Sequence, residues 1–429
     1  MHLILEMCYT ILYHSVRVQG ERVALCTRTP ERGDAMNLRK ISFGNFKCLY
    51  KASFEPGKVN VFIGANGSGK STILEGIGLL SAAMTDRVDA TSLQRKGVRL
   101  SVPALYKSNF KSINRVKSTV DLSLEWDDGT NSDLYQYDVH LTAPTDTEYW
   151  KYHSEAFFQN GEKLWGRSNA SSQQTNNYIG FFLIDDAINL NASRKIAEDF
   201  SAYGIFQPNT ITLRGTAPDT NQTTPIGLNG GRLAEAIKAL IHSENDEVYF
   251  GNLYMDDILD MIDWAADITV AAPKKSNINA NVPTTRDIIE FTDRYMKETA
   301  QFTGYDASEG ALYVLFMLAL AMHPQGPSIF AVDSFDHALN PRLAKKMMEI
   351  FCSQILQQGK HVFLTTHNPL VLDGLDLNND EIRLFAVDRD ADGYAQIQRV
   401  KVSQELIDEG QPLSRLWING RLGGVPTLL

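Results

Sequence analysis

Nine consecutive residues, Gly64-Ala65-Asn66-Gly67-Ser68-Gly69-Lys70-Ser71-Thr72, contain the full pattern G-x-x-x-x-G-K-[ST]. The chemistry such a loop performs is phosphate binding. Its glycines let successive backbone N–H groups turn inward onto phosphate oxygens, and the helix that follows adds the partial positive charge of its N-terminus. Lys70 would reach the β- and γ-phosphates of a nucleoside triphosphate, and the Ser71 hydroxyl would ligate a magnesium ion. The species implied are therefore ATP and Mg2+.

A second cluster, Ser328-Ile-Phe-Ala-Val332-Asp333, is an apolar run ending in a carboxylate at the end of a strand. That arrangement would set Asp333 beside Ser71 and the metal. Any buried strand ending in Asp imitates it, but here Leu339-Asn340-Pro341-Arg342 and a helix follow. A third cluster, Ser308-Glu309-Gly310, opens an apolar helix 25 residues ahead of Asp333. In isolation Ser308 would be a plain N-cap. Between the glycine loop and Asp333, the same helix start suits a γ-phosphate offered by a second copy of the chain. A fourth, Thr365-Thr366-His367-Asn368-Pro369, ends the next strand and places His367 one βα unit later, where it would contact the γ-phosphate.

The elements that must position these residues can be read from periodicity. Leu38 to Phe46 and the β-branched run Val59–Ile63 predict strands, and Ser71 to Ala83 predicts a helix. Thr119 to about Trp165 predicts a β-meander, with turns at Asp127-Asp128-Gly129 and Asn160-Gly161. A polar loop is expected at 166–178, helices over Arg232–Ile241, Leu253–Ala265 and Ala311–Met322, and a flexible connection from Pro273 to Thr285. Strands at Ser328–Val332 and Val362–Thr365 flank a helix over Arg342–Gln357, and two further strands follow at Glu381–Val387 and Ala395–Val400. The expected fold is α/β, a P-loop nucleotide-binding domain split by a β-rich insertion and a helical segment. The divisions are an N-terminal extension at 1–35, a first lobe at 36–230, the helical segment at 231–300 and a second lobe at 301–429.

Of 429 residues, 43% are hydrophobic and 21% charged, which predicts a folded chain. A net charge of -10 argues against a surface that coats nucleic acid, although a local basic groove remains open. Cys8, Cys26, Cys48 and Cys352 form no C-x-x-C pair, so a reducing, cytoplasmic setting is expected rather than a disulfide or zinc framework. The longest apolar run, Ala311 to Met322, falls short of the roughly 20 residues of a membrane span.

Together the four clusters resemble the ABC-class AAA ATPases related to SMC, RecF and the OLD-type ATPases, over most of residues 36–375. In that resemblance Asn45-Phe46-Lys47 matches the motif on the family's first strand, Ser308-Glu309-Gly310 its signature motif, and His367 its switch histidine. Tyr203 to Asn209 would hold the Q-loop, with Gln207 as its glutamine. The family sandwiches two ATP molecules between two heads, so a homodimer or higher oligomer is implied.

The chain departs from the family at one point. The family reads D-E-P-E after its metal-side strand, and this chain reads Asp333-Ser334-Phe335-Asp336. Ser334 stands where a glutamate polarises water, so slow hydrolysis is expected. Asp336 is the nearest substitute, but past a strand end it is expected to face the dimer interface. About 60 residues follow His367, short of a TOPRIM nuclease domain, and Val387 to Gly393 is expected to be a turn between strands rather than a metal site. A lone head of this kind is similar to the ATPase subunits of anti-phage systems such as Septu, where the partner is an HNH nuclease, and of some retrons. The resemblance thus implies a sensor ATPase governing a separate nuclease or toxin. One rival is a RecF-like repair ATPase, using Arg95, Lys96, Arg99, Lys107, Lys111, Arg115 and Lys117 on DNA. Another is an ATPase subunit powering a separate transporter.

Overall fold

Val59–Ile63 is buried at every residue, and its side chains alternate between two cores. Val59, Val61 and Ile63 join one core and Phe62 the other, which is why the strand reads as a continuous apolar run. The computed structural model describes residues 36–425, except 86, 128, 130–132, 146–147, 169–179, 181–190, 218, 220, 222–224, 275–277, 280, 284–285, 298–300 and 402–409. The expected extension at 1–35 and residues 169–178 of the expected polar loop lie outside the described residues.

The first sheet uses β1 (Asn37–Phe46) and β2 (Leu49–Phe54), with β4 (Thr119–Asp127), β5 (Leu134–Thr142), β6 (Lys151–Gln159) and β7 (Glu162–Ser168). Its order is β2-β1-β4-β5-β6-β7, antiparallel throughout. The expected β-meander is therefore continuous with the first strand, because β1 pairs with both β2 and β4. The β6–β7 hairpin turns at Asn160 and Gly161, with φ of 51° and 81°, the paired left-handed geometry of a tight hairpin turn.

The second sheet contains β3 (Val59–Ile63), β8 (Ile205–Phe206), β15 (Ile329–Val332), β16 (His361–Thr365), β17 (Ile382–Arg389) and β18 (Ala395–Val400), in the order β18-β17-β3-β16-β15-β8. All pairings are parallel except β17–β18. Helix α1 (Lys70–Thr85) leaves β3 through the glycine loop and packs on α2 (Asn191–Ser201), where the Ser81 hydroxyl donates to the Phe200 carbonyl at 2.7 Å. Residues 390–394 turn the chain from β17 to β18, with the Asp390 carboxylate accepting the N–H groups of Asp392 and Tyr394.

Residues 231–300 differ from expectation. Helix α3 (Leu233–Leu240) forms, but the helix expected over Leu253–Ala265 is confined to Met255–Met261. The rest builds two three-stranded antiparallel sheets, one of β9 (Ile241–Glu244), β10 (Glu247–Phe250) and β11 (Leu253–Tyr254), the other of β12 (Ala265–Ala271), β13 (Ile288–Asp293) and β14 (Gln301–Thr303). Asn245 and Asp246, with φ of 52° and 65°, make the turn between β9 and β10, and Ile268-Thr269-Val270 is β-branched throughout. Those local preferences override the weaker helical spacing.

Helix α4 (Glu309–Met322) is buried at every residue from Ala311 onward, as its all-round apolarity requires. Helix α5 (Pro341–Gln358) begins at Asn340, whose side chain accepts the Leu343 N–H at 3.0 Å, and ends at Gly359 in the left-handed conformation.

Beneath the sheet, at the start of β16, His361 is fully enclosed. Its Nδ1 lies 3.1 Å from the Gly57 carbonyl, and its Nε2 lies 3.1 Å from the Met36 carbonyl and 2.9 Å from Lys58 Nζ. Burial first, and the Lys58 charge second, push the imidazole down to about 3. The unfolded chain takes up this proton near pH 6.5 and the folded chain only near 3, so folding stability falls as pH drops between those values. A His361→Asn variant is expected to show a flatter fall, measured by chemical denaturation from pH 7 to pH 4.

Candidate functional site

The glycine loop is closed by two backbone hydrogen bonds, Ser68 N–H to the Ala65 carbonyl at 3.1 Å and Ile73 N–H to the Gly69 carbonyl at 3.0 Å. Gly67, φ 76°, and Gly69, φ 121°, hold conformations that L side chains avoid, and a Cβ at Gly69 would meet Cys48 Sγ at 2.8 Å. Asn66 and Gly67 are exposed at the tip, Ala65 is half-buried, and Ser68 is buried. Gly64 packs against Gly424, whose N–H donates to Asp388 Oδ2 at 2.9 Å. No sequence signal pointed to that contact.

Lys70 opens α1 and folds back on the loop, donating to the carbonyls of Gly64 at 2.7 Å and Ala65 at 3.0 Å. Burial lowers its ammonium to about 8, against the opposing pull of Asp333 and Asp336. Ser71 and Thr72 follow on the first turn, both half-buried.

Asp333, just past β15, collects donors from three other elements. Ser71 Oγ reaches Oδ1 at 3.1 Å, Thr365 Oγ1 reaches the same oxygen at 2.5 Å, and Gln207 Nε2 reaches Oδ2 at 2.9 Å. Gln207 follows β8 and Thr365 ends β16, so the cluster sits at the carboxyl ends of parallel strands, where open α/β sheets bind ligands. A hydroxyl and a carboxylate in direct contact are the hard oxygen donors that Mg2+ takes, with phosphate and water completing its octahedron. Ser71 and Asp333 are thus the residues that would hold the ion. Among the described residues no group of three or more His, Cys, Asp or Glu side chains offers an all-protein metal cage.

Asp336 belongs to the same cluster. Its Oδ1 accepts from Thr366 Oγ1 at 2.8 Å and from the His367 N–H at 3.1 Å. Burial and the Lys70 charge lower the His367 imidazole, opposed by Asp336 and Asp333, which places all four groups within electrostatic reach. Ser334 adopts φ 66°, donates its N–H to Thr365 Oγ1 at 2.8 Å, and accepts the Tyr313 hydroxyl on its carbonyl at 3.2 Å. Thr365 and Thr366, which carry no sequence signal of their own beside His367, orient both carboxylates.

The Ser308 turn stands apart. Ser308 Oγ accepts the Ala311 N–H at 3.3 Å as an N-cap, and a Cβ on Gly310 would lie 3.0 Å from the Ala338 carbonyl. Glu309 accepts from the Thr210 hydroxyl, and His337 Nε2 lies 3.2 Å from the same carboxylate oxygen. Among the described residues no hydrogen bond joins this turn to the 64–72 loop. Asn45 is likewise committed elsewhere. Its amide donates to the carbonyls of Lys117 and Thr119 and accepts the Ser108 N–H, pinning the β1–β2 turn to β4. Its neighbour Lys47 pairs with buried Glu75 on α1 at 2.6 Å, and Arg99 pairs with the same carboxylate at 2.5 Å.

No curated protein matches the chain. Among solved structures, the SMC head domain from Thermotoga maritima is 12% identical, with a TM-score of 0.44, covering 85% of this chain and 100% of that one. An SMC head domain with coiled coil and joint from Pyrococcus yayanosii is 8% identical, TM-score 0.46, covering 88% and 100%. The recombination mediator RecF with its bound nucleotide analogue is 14% identical, TM-score 0.35, covering 86% and 99%. The family whose profile spans residues 59–373 contains the glycine loop, Gln207, the Ser308 turn, Asp333 and His367 in one match. The chain belongs to that family, described as AAA domain, putative AbiEii toxin, Type IV TA system.

Proposed function

We propose that this protein is a nucleotide-gated regulatory ATPase, closing as a homodimer around two ATP·Mg2+ to control a separate nuclease or toxin in defence against phage. The observation that carries the reading is the division of the chemistry within one chain. Lys70, Ser71, Asp333 and Gln207 converge at one point, while Ser308 caps its helix with no bond to them. Two copies facing each other would bring the second half of each site from the partner. Lys70 would then hold the β- and γ-phosphates, Ser71 and Asp333 the metal, and His367 the γ-phosphate, with Ser308 and Gly310 closing from across the interface. The family description, a putative toxin of a Type IV TA system, supports a place in a system built around a toxin. No helix among the described residues is long and apolar enough to cross a membrane. Light scattering on the purified chain with Mg2+ and a non-hydrolysable ATP analogue should show the mass doubling from 47.9 kDa. A mass that stays at one chain at saturating analogue would sink the dimer, and purification with its genomic neighbours identifies the effector.

A RecF-like repair ATPase would use the same nucleotide chemistry with DNA as partner. The basic stretch supports it less than its charge suggests. Arg99 is spent on Glu75, Lys96 on the carbonyls of Phe200 and Ser201, and Lys117 on Asp121. Salt-dependent binding of duplex DNA at physiological ionic strength, lost on substituting Lys107, Lys111 and Arg115, would favour it instead.

A further inference from the structure

Two consecutive threonines at the end of β16 each orient one carboxylate. Thr365 Oγ1 donates to Asp333 Oδ1 at 2.5 Å, and Thr366 Oγ1 donates to Asp336 Oδ1 at 2.8 Å. The two aspartates then diverge. Asp333 also receives Ser71 and Gln207, one on each oxygen, and is fully engaged on the metal side. Asp336 receives its second donor, the His367 N–H, on the same Oδ1, so among the described residues no hydrogen bond falls on its Oδ2. The residue directly after Asp333 offers no alternative. Ser334 is bound into the turn by its backbone, through Thr365 and Tyr313, and a hydroxyl does not accept a proton at neutral pH.

We infer that Asp336 is the carboxylate that orients and deprotonates the attacking water, in place of the group Ser334 cannot supply, and that Thr366 is its positioning residue. The inference rests on the ATP reading above. In the step, the water oxygen bonds to the γ-phosphorus and the bond from that phosphorus to the β,γ-bridging oxygen breaks, its electron pair leaving on ADP. The water proton passes to Asp336 Oδ2 and from there to solvent. Thr366, which holds Asp336, also donates its N–H to the Phe62 carbonyl at 3.3 Å, near the end of the strand that runs into the glycine loop, and the Lys70 ammonium feels the Asp336 charge. Two carboxylates in different hydrogen-bonding surroundings thereby take different tasks, one on the metal and one on the proton.

The test compares full-length wild type with Asp336→Asn, Thr366→Val, Thr366→Ser, Ser334→Ala and Lys70→Ala. Three quantities are read: equilibrium binding of a fluorescent ATP analogue with Mg2+, single-turnover phosphate release, and persistence of the ATP-bound dimer on size exclusion. Asp336→Asn should bind within about twofold of wild type, hold its dimer longer, and release phosphate at least about a hundredfold more slowly. Thr366→Val should slow release about tenfold at unchanged affinity, with Thr366→Ser restoring it, and Ser334→Ala should match wild type. The inference is overturned if Asp336→Asn turns over at the wild-type rate, if its affinity falls in proportion to its rate, or if Ser334→Ala shows the same loss. It is also overturned if wild type releases no more phosphate than Lys70→Ala. Wild type that fails to bind the analogue would remove the ATP reading itself, whereas intact binding with unchanged turnover removes only the role of Asp336.

Discussion

Lys70→Ala is expected to weaken ATP binding by at least about a hundredfold, the loss of two charge-assisted hydrogen bonds of about 1.5–3 kcal/mol each. The ammonium sits at the mouth of the loop, within 3.0 Å of the Gly64 and Ala65 carbonyls, poised to exchange them for phosphate oxygens. The fold should tolerate the change. Alanine is the best helix former, and Lys70 begins α1, where its removal leaves only two loop carbonyls to be solvated. Two measurements separate binding from folding. The unliganded melting temperature should stay within a few degrees of wild type, while the upward shift that saturating ATP and Mg2+ give wild type should vanish. Titration with a fluorescent analogue supplies the affinity directly. A variant that binds ATP as wild type does would show that the loop is not the nucleotide site.

Ser308→Asp is expected to abolish nucleotide-dependent dimerisation while leaving the monomer folded and its loop able to bind ATP. Aspartate caps a helix as well as serine does, so it keeps the acceptor for the Ala311 N–H and suits the helix dipole. What it cannot do is meet a γ-phosphate from the partner, because it presents a like charge where the hydroxyl presented a donor. At the short range of such a contact the repulsion should weaken closure at least about a hundredfold, a loss of roughly 2.7 kcal/mol. Mixing gives the sharper result. Lys70→Ala and Ser308→Asp chains each fail alone, but a heterodimer of the two holds one site with an intact loop from one chain and an intact serine from the other. Light scattering of the mixture with ATP should recover a dimer that neither variant forms separately. If the mixture stays monomeric while wild type dimerises, the composite site is wrong. If Ser308→Asp still dimerises fully, the serine does not touch the nucleotide.

The loop, the metal-side aspartate and the buried helix α4 were legible because each obeys a local rule. Glycines at fixed spacing, an apolar run ending in a carboxylate, and twelve apolar residues behind a capping serine are patterns a single segment can display. The segment at 231–300 was harder to read. Its helical spacing over Leu253–Ala265 competes with β-branched and aromatic residues that pair across strands, and pairing is a property of two segments. The continuity of the β-meander with β1 escaped for the same reason, since Asn37–Gly44 pairs with Asp121–Asp127 some eighty residues away.

By itself, then, the sequence determined that this chain carries a phosphate-binding loop on a βα unit, a carboxylate strand and a second capped helix start. Those features depend on backbone conformation and side-chain identity within a few residues. Only the tertiary structure decided how the carboxylates are shared out. It brought Thr365 to Asp333 and Thr366 to Asp336 from a strand some thirty residues later, and set Gln207 on Asp333 from the end of β8. The physical reason is that hydrogen-bond partners are chosen by the order of strands in the parallel sheet, β3 beside β16 beside β15 beside β8, and no local pattern encodes that order.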